Sequence, residues 1–169
     1  YRLIQGDVGC GKTLVASLAL YACVLSGHQG AIMAPTEILA RQHAVSLKKL
    51  FAGLPIKIDV LCSSLPSAKK KEVLQAMKDG TLNLVAGTHA LFQKEVEFAK
   101  LGLVVADEQH RFGVEQRRAL KEKGEKVDFL LMSATPIPRT LAATLYGDMD
   151  ISTIMTMPPG RKPIQTRLV

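Results

Sequence analysis

Gly6, Asp7, Val8, Gly9, Cys10, Gly11, Lys12 and Thr13 follow one another in a GxxxxGK[ST] spacing, between a short apolar run and a long apolar segment. Glycines at these positions let backbone N–H groups turn inward around phosphate oxygens with no Cβ in the way. A helix starting at Lys12 would aim the positive end of its dipole at the same point. Lys12 can then bridge β- and γ-phosphates, and the Thr13 hydroxyl can ligate Mg²⁺. A plain Gly-rich turn before a helix is the simpler reading of the same residues. The strand before and the helix after supply the context that a phosphate loop requires.

A second constellation is Val104-Val-Ala-Asp-Glu-Gln-His110, an aliphatic run that ends in adjacent carboxylates. Strand ends in open α/β sheets face the ligand crevice. Asp107 would hold Mg²⁺ through water there, and Glu108 would orient or deprotonate the attacking water. Taken alone this is an acidic loop after a strand; coupled to a phosphate loop it becomes a hydrolytic pair. A third is Met132-Ser-Ala-Thr-Pro136, also at the end of an apolar run, where Ser133 and Thr135 could sense the γ-phosphate or the surroundings of Glu108. Three loops could meet nucleic-acid phosphates: Pro35 and Thr36 with Arg41, Thr88 with His89, and the 136–140 segment with Arg139. Each of these also reads as an ordinary N-cap and turn.

Cys10 leaves two readings open. At a helix start, two residues before Lys12, its thiol is placed to be reactive. Turned inward against the sheet, it would be as inert as Cys23 and Cys62, which look like small core residues.

These residues need elements to hold them. Strand candidates are 2–5, 31–34, 56–61, 83–86, 102–106, 128–132 and 151–155, several of them nearly unbroken aliphatic runs. Such runs suit strands buried on both faces, hence a parallel sheet covered by helices. Helical runs lie between them at 12–26, 36–52, 66–79, 114–123 and 138–146, most of them stopped by a glycine. The first is apolar all round and reads as buried; in the second, Thr36 is the N-cap and Leu39, His43, Leu47 and Leu50 form the inward stripe. The alternation predicts an α/β fold with right-handed crossovers.

The bulk properties agree. At 169 residues the chain fits one domain. With 47% hydrophobic and 22% charged residues it is neither collagen-like, disordered nor a coiled coil. Net charge is +7, which permits a polyanionic partner without identifying it. Three cysteines with no CxxC spacing argue against a disulfide framework or zinc site and for a reducing compartment. Residues 13–36 carry no charge, but their longest apolar block is too short to span a bilayer, and no signal peptide is expected. The Pro-rich 158–164 segment reads as a linker, so the chain looks like part of something longer.

The order of motifs resembles a known family. The phosphate loop, APTEILA at 34–40, GTHALFQ at 87–93, DEQHRFGVEQRR at 107–118 and SATPIPRTLA at 133–142 resemble the first motor lobe of superfamily-two helicases, in particular the RecG-type ATP-dependent DNA helicases. Transcription–repair coupling factors, the alternative, are similar through RFGV and TPIPRTL but usually carry DEEQ or DEEH. The resemblance implies a RecA-like P-loop NTPase lobe, with a mostly parallel sheet sandwiched by helices, over 1–157. Residues 158–169 would be the linker and the start of a second lobe. It implies a DNA translocase that uses ATP and Mg²⁺ to remodel stalled forks and branched recombination intermediates. Residues 6–13 would bind nucleotide, with Thr13 and Asp107 on the metal and Lys12, Asp107 and Glu108 catalytic. Gln109, His110, Ser133, Ala134 and Thr135 would couple hydrolysis to movement. Pro35, Thr36, Arg41, Thr88, His89 and Arg139 would lie along the DNA. The implied partners are branched or forked DNA and the second lobe and wedge domain of the same polypeptide, with no membrane. A monomer in the bacterial cytoplasm, associated with the nucleoid, is expected. Cys10 departs from the family, which usually has Ser there; a lobe without its second lobe would have little activity.

Overall fold

The computed structural model describes residues 1–107, 126–135, 137–138, 140, 144 and 149–156. In chain order these form β1 (Arg2–Gly6), α1 (Lys12–Leu25), β2 (Gln29–Met33), α2 (Glu37–Leu50), β3 (Ile58–Leu61), α3 (Ser67–Asp79), β4 (Leu84–Gly87), a 3₁₀ turn (His89–Phe92), β5 (Leu101–Asp107), β6 (Asp128–Ser133) and β7 (Asp150–Ile154). The strands make one seven-stranded sheet in the order β3-β4-β2-β5-β6-β1-β7. Every pairing in it is parallel. This is the expected α/β class.

Side chains alternate across the sheet with period two. Leu103 and Val105 of β5 join Ile32, Leu130 and Met132 in a cluster with Ala16 and Leu20 of α1 and Ala40, Ala44 and Leu47 of α2. Val104 and Ala106 join Met33, Phe129 and Leu131 on the other face with Val73 and Met77 of α3. Apolar burial on both faces is why the strands read as unbroken aliphatic runs.

The sequence reading needs three corrections. First, β2 starts at Gln29. The Gln29 amide is buried and crosslinks the backbone, donating to the Met77 and Leu82 carbonyls at 3.0 and 2.8 Å and accepting from Lys100 N–H at 2.9 Å. A polar side chain so fully bonded is as buried as its aliphatic neighbours. Second, the inward face of α2 is Ala40, His43, Ala44 and Leu47, with Leu39 only partly buried and Leu50 exposed. Small residues let α2 lie close to the sheet, which rotates the stripe by about one position relative to the leucines. Third, α1 is not buried all round: Leu14, Leu18 and Leu25 face outward. The expected Thr36 cap is present, its Oγ1 accepting from Leu39 N–H at 3.3 Å. The helix expected at 114–123, most of that at 138–146 and the 158–169 linker lie outside the described residues.

Because all strands run the same way, every motif loop leaves the same carboxyl edge of the sheet. Strand order then divides that edge. Asp107, Ser133 and Gly6 end the adjacent strands β5, β6 and β1, while Thr36 and Thr88 follow the adjacent strands β2 and β4.

Candidate functional site

The phosphate loop is built on its glycines. Gly9 and Gly11 have φ of 80° and 97°, in the left-handed region that disfavours any side chain. A Cβ on Gly6 would lie 2.5 Å from Cys10 Sγ and 3.2 Å from Ile154 Cβ. Cys10 N–H donates to Asp7 C=O at 3.1 Å, closing the turn, and Gly11 C=O accepts from Leu14 N–H at 3.0 Å to begin α1. The Cys10 side chain packs over the Cα of Gly6 and is half-buried, with Lys12 Nζ 3.9 Å from its Sγ, so both readings of this thiol stay open. Burial raises the thiols of Cys23 and Cys62 above their ordinary range.

Lys12 is only 9% exposed. Its ammonium donates to the Gly6 and Asp7 carbonyls at 2.6 and 2.9 Å. A phosphate entering the loop competes with neutral carbonyls for that ammonium, and a charged acceptor makes the stronger bond. Thr13 is exposed beside it.

Asp107 closes β5 opposite Met132, and Ser133 closes β6 opposite Gln5. Period two places Asp107 on the face of Leu103 and Val105, under α2. There the imidazole of His43 meets it, with Nε2 2.7 Å from Asp107 Oδ2. An ionised carboxylate only accepts hydrogen bonds, so the imidazole Nε2–H is the donor. Sequence reasoning treated His43 as one residue of an apolar stripe and missed this contact. The available signal was a titratable ring in an otherwise aliphatic face.

The 133–135 segment forms a closed turn. Ser133 Oγ donates to Thr135 C=O at 3.0 Å and accepts from Thr135 N–H at 3.2 Å, with the two hydroxyls 3.1 Å apart. Gln5 Nε2 donates to Ile137 C=O at 3.0 Å and fastens the segment to β1. The hydroxyls proposed to couple hydrolysis thus shape their own loop, with Ala134 partly buried between them.

On the other half of the edge, Ala34 N–H donates to Gly87 C=O at 2.9 Å and joins the exits of β2 and β4. Pro35 and Thr36 are exposed beside half-buried Thr88 and exposed His89. Arg41 donates to Ser64 Oγ at 3.3 Å, and Ser64 also bonds Glu37 through its hydroxyl and its N–H. The Ser64 hydroxyl holds the Glu37 carboxyl below its ordinary range. Ser64, which follows β3, was not singled out from sequence. Glu108, Gln109, His110 and Arg139 lie outside the described residues.

Among the described residues, no three His, Cys, Asp or Glu side chains gather as an all-protein metal cage. Thr13 and Asp107 offer the hard oxygen donors that Mg²⁺ takes when phosphates and water complete its shell. Among the described residues no helix is long and apolar enough to cross a membrane.

A parallel sheet with a phosphate loop after β1 and a carboxylate two strands away at the end of β5 defines a class, and residues 2–144 match the DEAD/DEAH box helicase family model. The chain belongs to that family. Within it, the chain is 59% identical over 168 residues to the ATP-dependent DNA helicase RecG of Streptococcus pneumoniae, covering 99% of this chain and 25% of that protein. It is 58% identical over 165 residues to the RecG of Bacillus subtilis, covering 98% of this chain and 24% of that protein. A solved structure of RecG bound to a three-way DNA junction matches with a TM-score of 0.79 and 44% identity, over 97% of this chain and 22% of that one. The chain therefore spans about a quarter of the length of the relatives it matches.

Proposed function

We propose that this chain is the ATP-binding first lobe of a DNA helicase or translocase that remodels stalled replication forks and branched recombination intermediates. The observation that carries this reading is the divided sheet edge. The phosphate loop, Asp107 and Ser133 share the β5-β6-β1 half, and the Pro35–Arg41 and Thr88–His89 loops share the β4-β2 half. The similarity to RecG, solved on a three-way DNA junction, supports branched DNA as the partner.

Residues 6–13 would cradle the nucleotide phosphates, and Thr13 and Asp107 would hold Mg²⁺, which supplies charge neutralisation across the β- and γ-phosphates. Lys12 trades its loop carbonyls for phosphate oxygens. Glu108 orients water and takes its proton. Gln109, His110 and the 133–135 turn pass the state of the phosphate site along the edge. Pro35, Thr36, Arg41, Thr88, His89 and Arg139 contact DNA phosphates rather than bases, so binding is indifferent to sequence. The second lobe and a wedge domain would belong to the remainder of a longer polypeptide, which is supported by this chain covering only 25% of the Streptococcus pneumoniae relative. The whole acts as a monomer on bacterial nucleoid DNA in the cytoplasm, in repair and recombination.

ATP hydrolysis by the full-length protein is the test. We expect a three-way DNA junction to stimulate it more than linear duplex or structured RNA, with the effect falling steeply as salt is added. Equal rates with and without the junction would overturn the reading.

A further inference from the structure

We propose that His43 is a positioning residue that fixes the Asp107 carboxylate for Mg²⁺ and fastens α2 to the nucleotide half of the edge. This rests on Asp107 being a metal-holding residue, as proposed above. The contact crosses the boundary that strand order creates. Helix α2 follows β2 and packs over β2, β3 and β4, whereas Asp107 ends β5 on the far side of that boundary. His43 spans it at 2.7 Å, with its side chain 11% exposed and that of Asp107 18% exposed.

Packing alone does not call for an imidazole here. The neighbours on the same helix face are Ala40, Ala44 and Leu47, all aliphatic and buried. A ring buried among them loses hydration and is favoured only if it gains a bond. The bond it gains is to one oxygen of a carboxylate that has two. The bond to Oδ2 restricts how the carboxylate turns and does not itself take Oδ1, the oxygen proposed to face a metal or its water. Groups that hold a metal ligand in this way typically change metal affinity or activity about 10–100-fold when removed. The helix that carries His43 also carries Arg41 one half-turn earlier, and Thr36 caps its start. A shift of α2 is therefore delivered to the carboxylate.

The experiment uses the full-length protein with a fluorescent ATP analogue, titrating Mg²⁺ to find the concentration that half-saturates tight nucleotide binding. His43→Ala, His43→Gln and Asp107→Asn are compared with wild type. A Gln amide can return a donor near the Nε2 position, whereas Ala cannot. We expect His43→Ala to need about 10–100 times more Mg²⁺, to bind nucleotide in EDTA as wild type does, and His43→Gln to recover most of the loss. If His43→Ala does not fold, the prediction is read from His43→Gln, which must stay near wild type while Asp107→Asn does not. A Mg²⁺ requirement unchanged in His43→Ala but raised in Asp107→Asn would overturn the His43 proposal alone. So would equal impairment of the Ala and Gln variants, which marks a packing role. An unchanged requirement in Asp107→Asn would overturn the metal reading itself.

Discussion

In the full-length protein, Lys12→Ala should abolish ATP binding, while Glu108→Gln should bind ATP and stop turning it over. The two variants separate because the residues have different work. Lys12 Nζ sits on the Gly6 and Asp7 carbonyls at 2.6 and 2.9 Å, at the mouth of the glycine loop. Each hydrogen bond to a charged group contributes about 1.5–3 kcal/mol. Losing contacts to two phosphates therefore weakens ATP at least ~100-fold. Alanine also leaves those two carbonyls without their ammonium, so a melting curve must accompany the binding titration. Glu108 follows the residue that ends β5 and would act on water rather than on phosphate. General-base catalysis contributes about 10²–10⁴ in rate, and a Gln keeps the shape while losing the basicity. Rapid-quench hydrolysis beside equilibrium binding reads both. A folded Lys12→Ala that binds ATP normally, or a folded Glu108→Gln that does not bind it, contradicts the assignment.

The second large effect is one of context. The 169-residue chain by itself should hydrolyse ATP about 10³–10⁵ times more slowly than the full-length protein on junction DNA, the range attributed to an arginine finger. Charge on the transferring phosphoryl group is stabilised by a guanidinium, which would here come from a second lobe across an interface. The isolated chain is expected to unwind nothing, and its DNA binding to be weak and to fall as salt rises. Strong junction-stimulated hydrolysis by the purified 169-residue chain would show that the catalytic set is complete within it.

Much of this was legible in the sequence because one physical rule served several residues at once. Double-sided burial makes the strands unbroken aliphatic runs, so β5 and β6 were found almost to the residue. Glycine punctuation found the ends of α1 and α3, where Gly27 and Gly80 take φ of 77° and 82°. What was missed depends on contacts distant in sequence. Gln29 looks like a turn residue until the carbonyls of Met77 and Leu82 are beside it. His43 looks like a core position until period two brings Asp107 beneath it, 64 residues later. The outward leucines of α1 look like core because hydropathy reports how apolar a face is and not what lies against it. The pairing of Glu37 and Arg41 with Ser64 had no local signal, since Ser64 follows a different strand.

The division of the carboxyl edge is the central claim, and amide hydrogen exchange on the full-length protein tests it most directly. A Mg²⁺-bound, non-hydrolysable ATP analogue should slow exchange in residues 7–13 and leave residues 36–41 and 87–93 unchanged. A three-way DNA junction without nucleotide should do the reverse. Nucleotide protection on the β2 and β4 loops with residues 7–13 unaffected, or junction protection confined to the phosphate loop, would contradict it.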